Sequence, residues 1–311
     1  MLMRTIISSV PTPVIEKQLQ HCRLLKTSCR GNFELYVFRH RTESPLLLEI
    51  GRLRELSFRH SGSGTGKSLD LDEFDTGTFA NQQLIAWDPV AKKIAGGYRL
   101  QHCTDAFDGH SNYFLPSGEL FQFSEEFRRS YLPVTMELGR SWIQPAYQSR
   151  SENPRSVFVL ESLWEGIGIV AQSTPHTEFL FGKVTIPRSY PVHARDLILS
   201  MLNYYFRKNS GLVQARHNLN ISPHMDMFFK GLPLQQGLTE LKRTLKFYGL
   251  QVPPLVSAYL KLSDEMMVFD TTINTGFGQV PDTAIMHEIA KLKPEKRERY
   301  FPGWCADSHV A

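Results

Sequence analysis

QLIAWDPVAKKIAGGYRL, residues 83–100, holds two apolar runs, Gln83 to Trp87 and Lys93 to Leu100, on either side of an Asp88-Pro89 turn. Strand-length apolar segments punctuated by Asp-Pro predict an antiparallel hairpin. Such a hairpin argues against a purely parallel doubly wound sheet. It predicts an α/β chain of the α+β kind, with a mixed, largely antiparallel central sheet flanked by helices. Upstream, Leu46, Ile50, Leu53 and Phe58 recur at helical intervals, which places Arg54 one turn before Phe58. Glu34 to Arg39 reads as a strand, and Val14 to Cys29 as one amphipathic stretch. Downstream, Met136 to Ile143 and Glu178 to Ile186 read as strands, and Ser156 to Gln172 and Ala194 to Arg207 as helices. No internal repeat, low-complexity tract or long linker interrupts them.

The chain has 311 residues, enough to bury one large core or two modest ones. Its formal charge of +4 is too mild to argue for nucleic acid without a basic block. Cys22, Cys29, Cys103 and Cys305 form no Cys-x-x-Cys pair and have no histidines at zinc spacing. They read as free thiols in a reducing cytosol, and no metal site is expected. The first residues, Met1 to Val14, are too broken by serine and proline for a signal sequence, and nothing later approaches the roughly 20 apolar residues of a membrane span. A cytoplasmic protein is expected, whose membrane contact, at the inner face, is peripheral.

Gly62-Ser63-Gly64-Thr65-Gly66-Lys67-Ser68 imitates a phosphate-binding P-loop. That pattern requires glycine where this chain has Ser61, and it requires a helix to follow. Here the loop runs instead into Leu69-Asp70-Leu71-Asp72-Glu73-Phe74-Asp75, so a plain flexible loop is the better reading.

Polar groups that interrupt apolar surroundings carry more: Arg54 before Phe58, Asp72 with Asp75, Arg99 at the end of its strand, and Glu137 with Arg140. Their order and spacing resemble the acyl-homoserine-lactone synthases of the GNAT acyltransferase fold. A wider similarity links the chain to the ornithine-lipid-type N-acyltransferases, which include haemolysin-like proteins. It rests on Glu49 to Glu55, Gly64-Thr65-Gly66-Lys67, Asp70-Leu71-Asp72, Glu137-Leu138-Gly139-Arg140-Ser141, Leu163 to Ile167, Phe181-Gly182, Pro253-Pro254-Leu255 and Tyr259 to Leu262. It covers about Leu46 to Gly303, and its breadth favours the lipid-forming branch. Pro187-Arg188 stands where that family has Ser-Asn. The resemblance implies an N-terminal extension, 1–44, packing on the core, an acyltransferase domain, 45–303, and a tail, 304–311.

It also implies the reaction: transfer of a long, 3-hydroxy or plain, fatty acyl group from acyl carrier protein to the amine of a small amino acid such as glycine or ornithine. No tightly bound cofactor is implied, since the phosphopantetheine thioester of acyl carrier protein is a co-substrate. An acyl-homoserine-lactone synthase using S-adenosylmethionine is the enzyme alternative, and a non-catalytic lipid-binding or membrane-active protein the alternative of another class.

An ammonium group has no lone pair with which to attack a thioester, so a base is required. The catalytic candidates are Glu137, Arg140 and Ser141, with Glu137 as the base, its pKa raised by burial, and backbone N–H groups of its strand meeting the oxyanion. A regular strand would put Glu137 and Arg140 on opposite faces, so joint action requires a bulge or twist near Gly139. Arg52, Arg54, Phe58, Arg59, Asp72, Asp75, Arg99 and Trp142 are the substrate-binding candidates, the charged ones forming a cluster that orders an N-terminal flap around the donor or holds the acceptor's carboxylate, which a bidentate arginine suits. Arg150 and Arg155, ahead of the helix at Ser156, are candidates for the phosphopantetheine phosphate. The Arg/Gln-x-x-Gly-x-Gly/Ala pyrophosphate signature is not found there, which favours carrier protein over coenzyme A. Phe121, Phe123, Trp142 and Phe158 are candidates for an acyl tunnel, and the basic run Lys291 to Arg299 for contact with acidic carrier protein or anionic lipid.

Overall fold

The computed structural model describes residues 3–40, 42–110, 112–148, 153–207, 211–222 and 224–304. The chain opens with α1 (Thr12–Leu19), β1 (Arg23–Thr27), β2 (Glu34–Phe38), α2 (Pro45–His60) and α3 (Glu73–Thr76). The hairpin strands β3 (Gln82–Asp88) and β4 (Lys93–His102) follow, then β5 (Phe121–Phe123), α4 (Glu125–Ser130) and β6 (Thr135–Ile143). Next come α5 (Ser156–Gln172), β7 (Phe179–Thr185), α6 (Val192–Phe206) and β8 (Val213–Ala215). The chain continues through α7 (Leu234–Phe247), α8 (Pro254–Leu260), β9 (Met267–Asn274), β10 (Val280–Glu288) and α9 (Pro294–Tyr300).

The hairpin forms as the sequence predicts, and the sheet built on it has eight strands in the order β1-β2-β3-β4-β6-β7-β10-β9. Every neighbouring pair is antiparallel except β6 and β7. β5 and β8 form a separate ribbon. The stretch read as one amphipathic unit, Val14 to Cys29, divides instead: α1 ends at Leu19, and β1 takes the edge of the sheet beside β2. Backbone pairing along β2 outweighs the helical spacing there.

Helix starts follow local chemistry. Ser44 caps α2 by accepting the Leu47 N–H at 3.2 Å, and Pro45 occupies the first turn, where its missing N–H costs nothing. Asp72 and Asp75 close a capping box around α3, each accepting a backbone N–H near the other.

One face of the sheet carries Leu84, Tyr98, Leu100, Leu138, Val184 and Ile285, packed with residues of α5, α6 and α8 such as Leu163, Ile198 and Val256. The opposite face is apolar in two places. At one end Ile85, Trp87, Ile94 and Trp142 lie under α1 and α2. At the other, Phe181, Ala284 and Met286 pack on Phe121, Phe127 and Val213. Strand alternation puts Arg99, Gln101, Glu137 and Lys183 between these patches. Among the described residues no helix is long and apolar enough to cross a membrane.

Candidate active site

β6 and β7 pair in parallel only from Thr135↔Phe179 to Leu138↔Gly182, although β6 runs on to Ile143 and β7 to Thr185. Beyond Leu138 the strands part, and the β7-facing backbone edge of Gly139, Arg140 and Ser141 has no strand partner. Against β4 the register slips between Gly97↔Trp142 and Arg99↔Gly139, so Arg140 and Ser141 together oppose Tyr98. This is a β-bulge, with Arg140 in the left-handed region at φ 45°. Its effect is the one the sequence required: Arg140 turns to the same face as Glu137, while Ser141 turns toward Tyr98 and Tyr259 on the other.

Two cavities meet at this gap. One, about 50 Å³, reaches toward α8 and is lined by Phe58, Ser141, Leu255 and Tyr259. The other, about 100 Å³, lies on the face of Arg99 and Glu137, with Asp72, Glu119 and Asn274 around it. Leu138, Gly139, Arg140, Lys183 and Phe277 line both. The two cavities therefore share these residues as a common wall where β6 and β7 part.

Glu137 is 4 % exposed. Its Oε1 accepts the Ser117 backbone N–H at 2.9 Å, and its Oε2 is buried with no hydrogen-bond partner. Burial pushes the carboxyl up from its ordinary value, against the opposing pull of the Ser117 N–H and of the Arg99 and Lys183 charges. A buried carboxylate oxygen left unpartnered is costly, and it is the arrangement a proton acceptor needs. The Tyr98 hydroxyl is pushed by burial up to about 12, and that of Tyr259 well above its ordinary value, so both keep their protons at neutral pH.

The charged residues singled out in the sequence form a lattice rather than a substrate clamp. Arg54 gives hydrogen bonds to Asp75 at 2.9 Å and to Gln83 at 2.6 Å, and is fully buried. Arg99 reaches Asp72 at 2.6 Å and Asp75 at 3.3 Å, and Arg140 reaches Asp70 at 2.9 Å and Asp72 at 3.2 Å. Burial alone would raise the Asp75 carboxyl, but Arg54 and Arg99 hold it far below the ordinary carboxylate range. With each guanidinium paired to aspartate, the cluster takes the ordering role, one of the two that the sequence offered for it. It fixes α2, α3, β4 and the bulge of β6 around the cavity.

Other candidates stand elsewhere. Arg52 pairs with Glu49 at 2.6 Å and lines a separate cavity near Val10 and Trp87. Arg59 binds Glu55 and the backbone carbonyls of Arg4 and Lys67. The P-loop look-alike is also occupied by its own chain: Glu55 accepts the N–H groups of Thr65 and Gly66 and the Thr65 hydroxyl. A loop shaped for an anion holds a carboxylate from α2. Phe58 does reach the site, edge-on to Phe277 at 4.8 Å. Trp142 is packed with Ile50 and Trp87 instead. Arg155 gives hydrogen bonds to both oxygens of Asp88 and to the Gly31 carbonyl and stacks on Phe33, so it clamps the hairpin turn rather than offering itself to a phosphate. Arg150 lies outside the described residues.

The four proposed tunnel aromatics do not line up. Phe121 and Phe123 lie by the β5–β8 ribbon, Trp142 lies under α2, and Phe158 packs against the opposite core. In the basic run Lys291 pairs with Glu288, Lys293 with Asp264 and Arg299 with Glu161, while Lys291 stays exposed and Lys296 lies over the Tyr300 ring.

Lys183 and Phe277 were missed by the sequence reading. The 3-10 turn after β9 lays the Phe277 ring 5.0 Å from the Arg140 guanidinium and 5.8 Å from the Lys183 ammonium. A lysine inside the apolar strand Phe179–Thr185 was the one visible signal.

The comparisons with known proteins fall on this same region. Residues 53–154, from α2 through the bulge of β6, match the Acetyltransferase (GNAT) domain family. A glycine N(alpha)-acyltransferase of Bacteroides thetaiotaomicron is 36 % identical over 303 residues, covering 96 % of this chain and 90 % of that protein. A glycine N(alpha)-acyltransferase of Phocaeicola vulgatus is 35 % identical over 303 residues, covering 96 % of this chain and 93 % of its own. No solved structure gives a significant match. With similarity of this extent running through the opened seam and the charged lattice beside it, the chain belongs to the N-acyl amino acid synthase family of GNAT-domain N-acyltransferases.

Proposed function

We propose that the protein transfers a long fatty acyl group, plain or 3-hydroxylated, from acyl carrier protein to the amine of glycine, forming an N-acyl amino acid lipid. The observation that carries this reading is Glu137, which lines a cavity of about 100 Å³ at the seam and keeps one carboxyl oxygen buried without a hydrogen-bond partner. A cavity of that size suits a small acceptor, and the names of the relatives, glycine N(alpha)-acyltransferases, support glycine. The amine loses its proton to Glu137 and attacks the thioester carbonyl. The N–C bond forms, the oxyanion is met by N–H groups on the free edge of β6, and the C–S bond breaks as the carrier's thiol leaves with a proton. The seam holds only the reacting ends, and the acyl chain extends beyond it past α8. Carrier protein is favoured over coenzyme A because the segment before α5 has no pyrophosphate-binding signature. The enzyme acts in the cytoplasm, at the inner face of the membrane that receives its product.

The test is mass spectrometry of products from the purified chain given acyl carrier protein or coenzyme A thioesters with glycine, ornithine, or S-adenosylmethionine. N-acylglycine formed fastest from the carrier protein is the expected result, with Glu137→Gln slowed by about 10²- to 10⁴-fold. Release of a lactone, or full activity in Glu137→Gln, overturns the reading.

A further inference from the structure

Arg99, Arg140 and Lys183 are the cations lining the cavity beside Glu137. The two arginines are each shared between aspartates, Arg99 by Asp72 and Asp75, Arg140 by Asp70 and Asp72. Among the described residues, Lys183 has one acidic partner, Asp282, at 2.5 Å. An ammonium group carries more donors than that single contact uses. Asp282 is itself immobile: it is fully buried and accepts hydrogen bonds from Thr185 Oγ1 at 2.5 Å and Asn274 Nδ2 at 2.8 Å. Phe277 walls the ammonium on another side, 5.8 Å from it.

The placement relative to the base matters as much as the charge. Glu137 stands opposite Phe181 across the parallel strands, and Lys183 is two residues further on the same face of β7, a step of about 7 Å. Glu137 and Lys183 line the same cavity, so a free α-amino acid with its amine at Glu137 and its backbone along the strands would direct its carboxylate toward Lys183.

We infer that Lys183, held in place by Asp282, binds the carboxylate of the acceptor, so that the enzyme selects free amino acids over simple amines and amino acid amides. This rests on the amino acid acceptor reading above. A partly buried cation that meets a carboxylate favours it over the analogue that lacks the charge, because the ammonium's remaining donors are then left without that partner.

The test compares kcat/KM for glycine and glycinamide, with a long-chain acyl carrier protein thioester as donor, in the full-length chain and its variants. Taking the ratio of the two acceptors and comparing it between variants cancels the different basicity of their amines. The double variant Lys183→Met/Asp282→Asn removes the cation without stranding the buried carboxylate. Its preference for glycine is expected to fall by about 10- to 100-fold through a raised glycine KM, with turnover of glycinamide retained. Lys183→Arg, which keeps the charge, is expected to retain part of the preference. Should the double variant not fold, Lys183→Gln, neutral and still able to hydrogen-bond to Asp282, serves the same comparison. A folded variant with the wild-type ratio, or a wild type indifferent to the amide, overturns the inference. A wild type that prefers another amino acid over its amide, with that preference lost in the variants, upholds the lysine and overturns only glycine. Failure to acylate any amine overturns both.

Discussion

Glu137 is a carboxyl group whose surroundings favour its protonated form. Because burial raises its pKa, the native state binds that proton more tightly than the unfolded chain does. Glu137 therefore costs stability once the pH rises through the ordinary carboxylate range, and the cost is complete above its folded pKa. Glu137→Gln, which can still accept the Ser117 N–H, should melt at a higher temperature than wild type at pH 7 to 8. The difference should close as the pH falls toward about 4. The rate should show the complementary profile, with kcat/KM rising with pH through an apparent pKa above that of an ordinary glutamate. A variant less stable than wild type at neutral pH would refute this account. Glu137 was legible in the sequence because it sits in a motif of fixed spacing. Lys183 was not, because its neighbours there are apolar and its partner Asp282 is 99 positions away.

At the level of elements, the Arg-Asp lattice adds buried ion pairs to the apolar packing that joins α2 to the sheet. Removing one member of a buried ion pair leaves the other charge unpaired in a medium that does not solvate it. Asp75→Ala leaves Arg54 without its carboxylate and Arg99 with Asp72 alone, and should cost about 3–5 kcal/mol in urea denaturation at pH 7. Because the folded Asp75 pKa is depressed, its contribution is present above the ordinary carboxylate range and is lost as the pH falls through the folded value. A change under about 1 kcal/mol would mean that the lattice is solvated and weak. The hairpin and α2 were legible because their signals are local: an Asp-Pro turn and helical spacing. The division of Val14 to Cys29 was not, since β1 depends on an edge that β2 supplies. The bulge at Arg140 was legible only as a condition, the parity that Glu137 and Arg140 must satisfy to share a face.

Across the whole molecule, the two ends of the chain lock onto one sheet. Residues 23–38 supply its first edge, and α9 closes over α5 at the far end of the sequence. The closest approach is at Gly168, where an added Cβ would lie 1.6 Å from the Tyr300 carbonyl oxygen. That neighbour is backbone and cannot rotate away. Gly168→Ala should therefore displace α9, together with the Arg299 pairs to Glu161 and Glu165, at a cost of about 1–3 kcal/mol or more in thermal unfolding. Limited proteolysis should cut the variant near residue 290 before wild type, and equal resistance would show that α9 is already loose. Long-range order of this kind, including the parallel pairing of β6 with β7, leaves no periodic trace in the sequence. It is decided by which strands become neighbours.

That pairing ends early, and the gap it leaves in a layer of backbone has a cavity to either side. On the proposed reaction, substrates approaching from the two cavities would not have to wait for one another, yet the amide that joins them would be one molecule threaded through the layer, with its tail on one side and its head on the other. It would leave only by being drawn through the eye. Pulling out the short polar head is the quicker way, so the gap screens acceptors a second time, after bond formation. A bulky amino acid that reacts once would jam on exit and appear as a single burst without turnover.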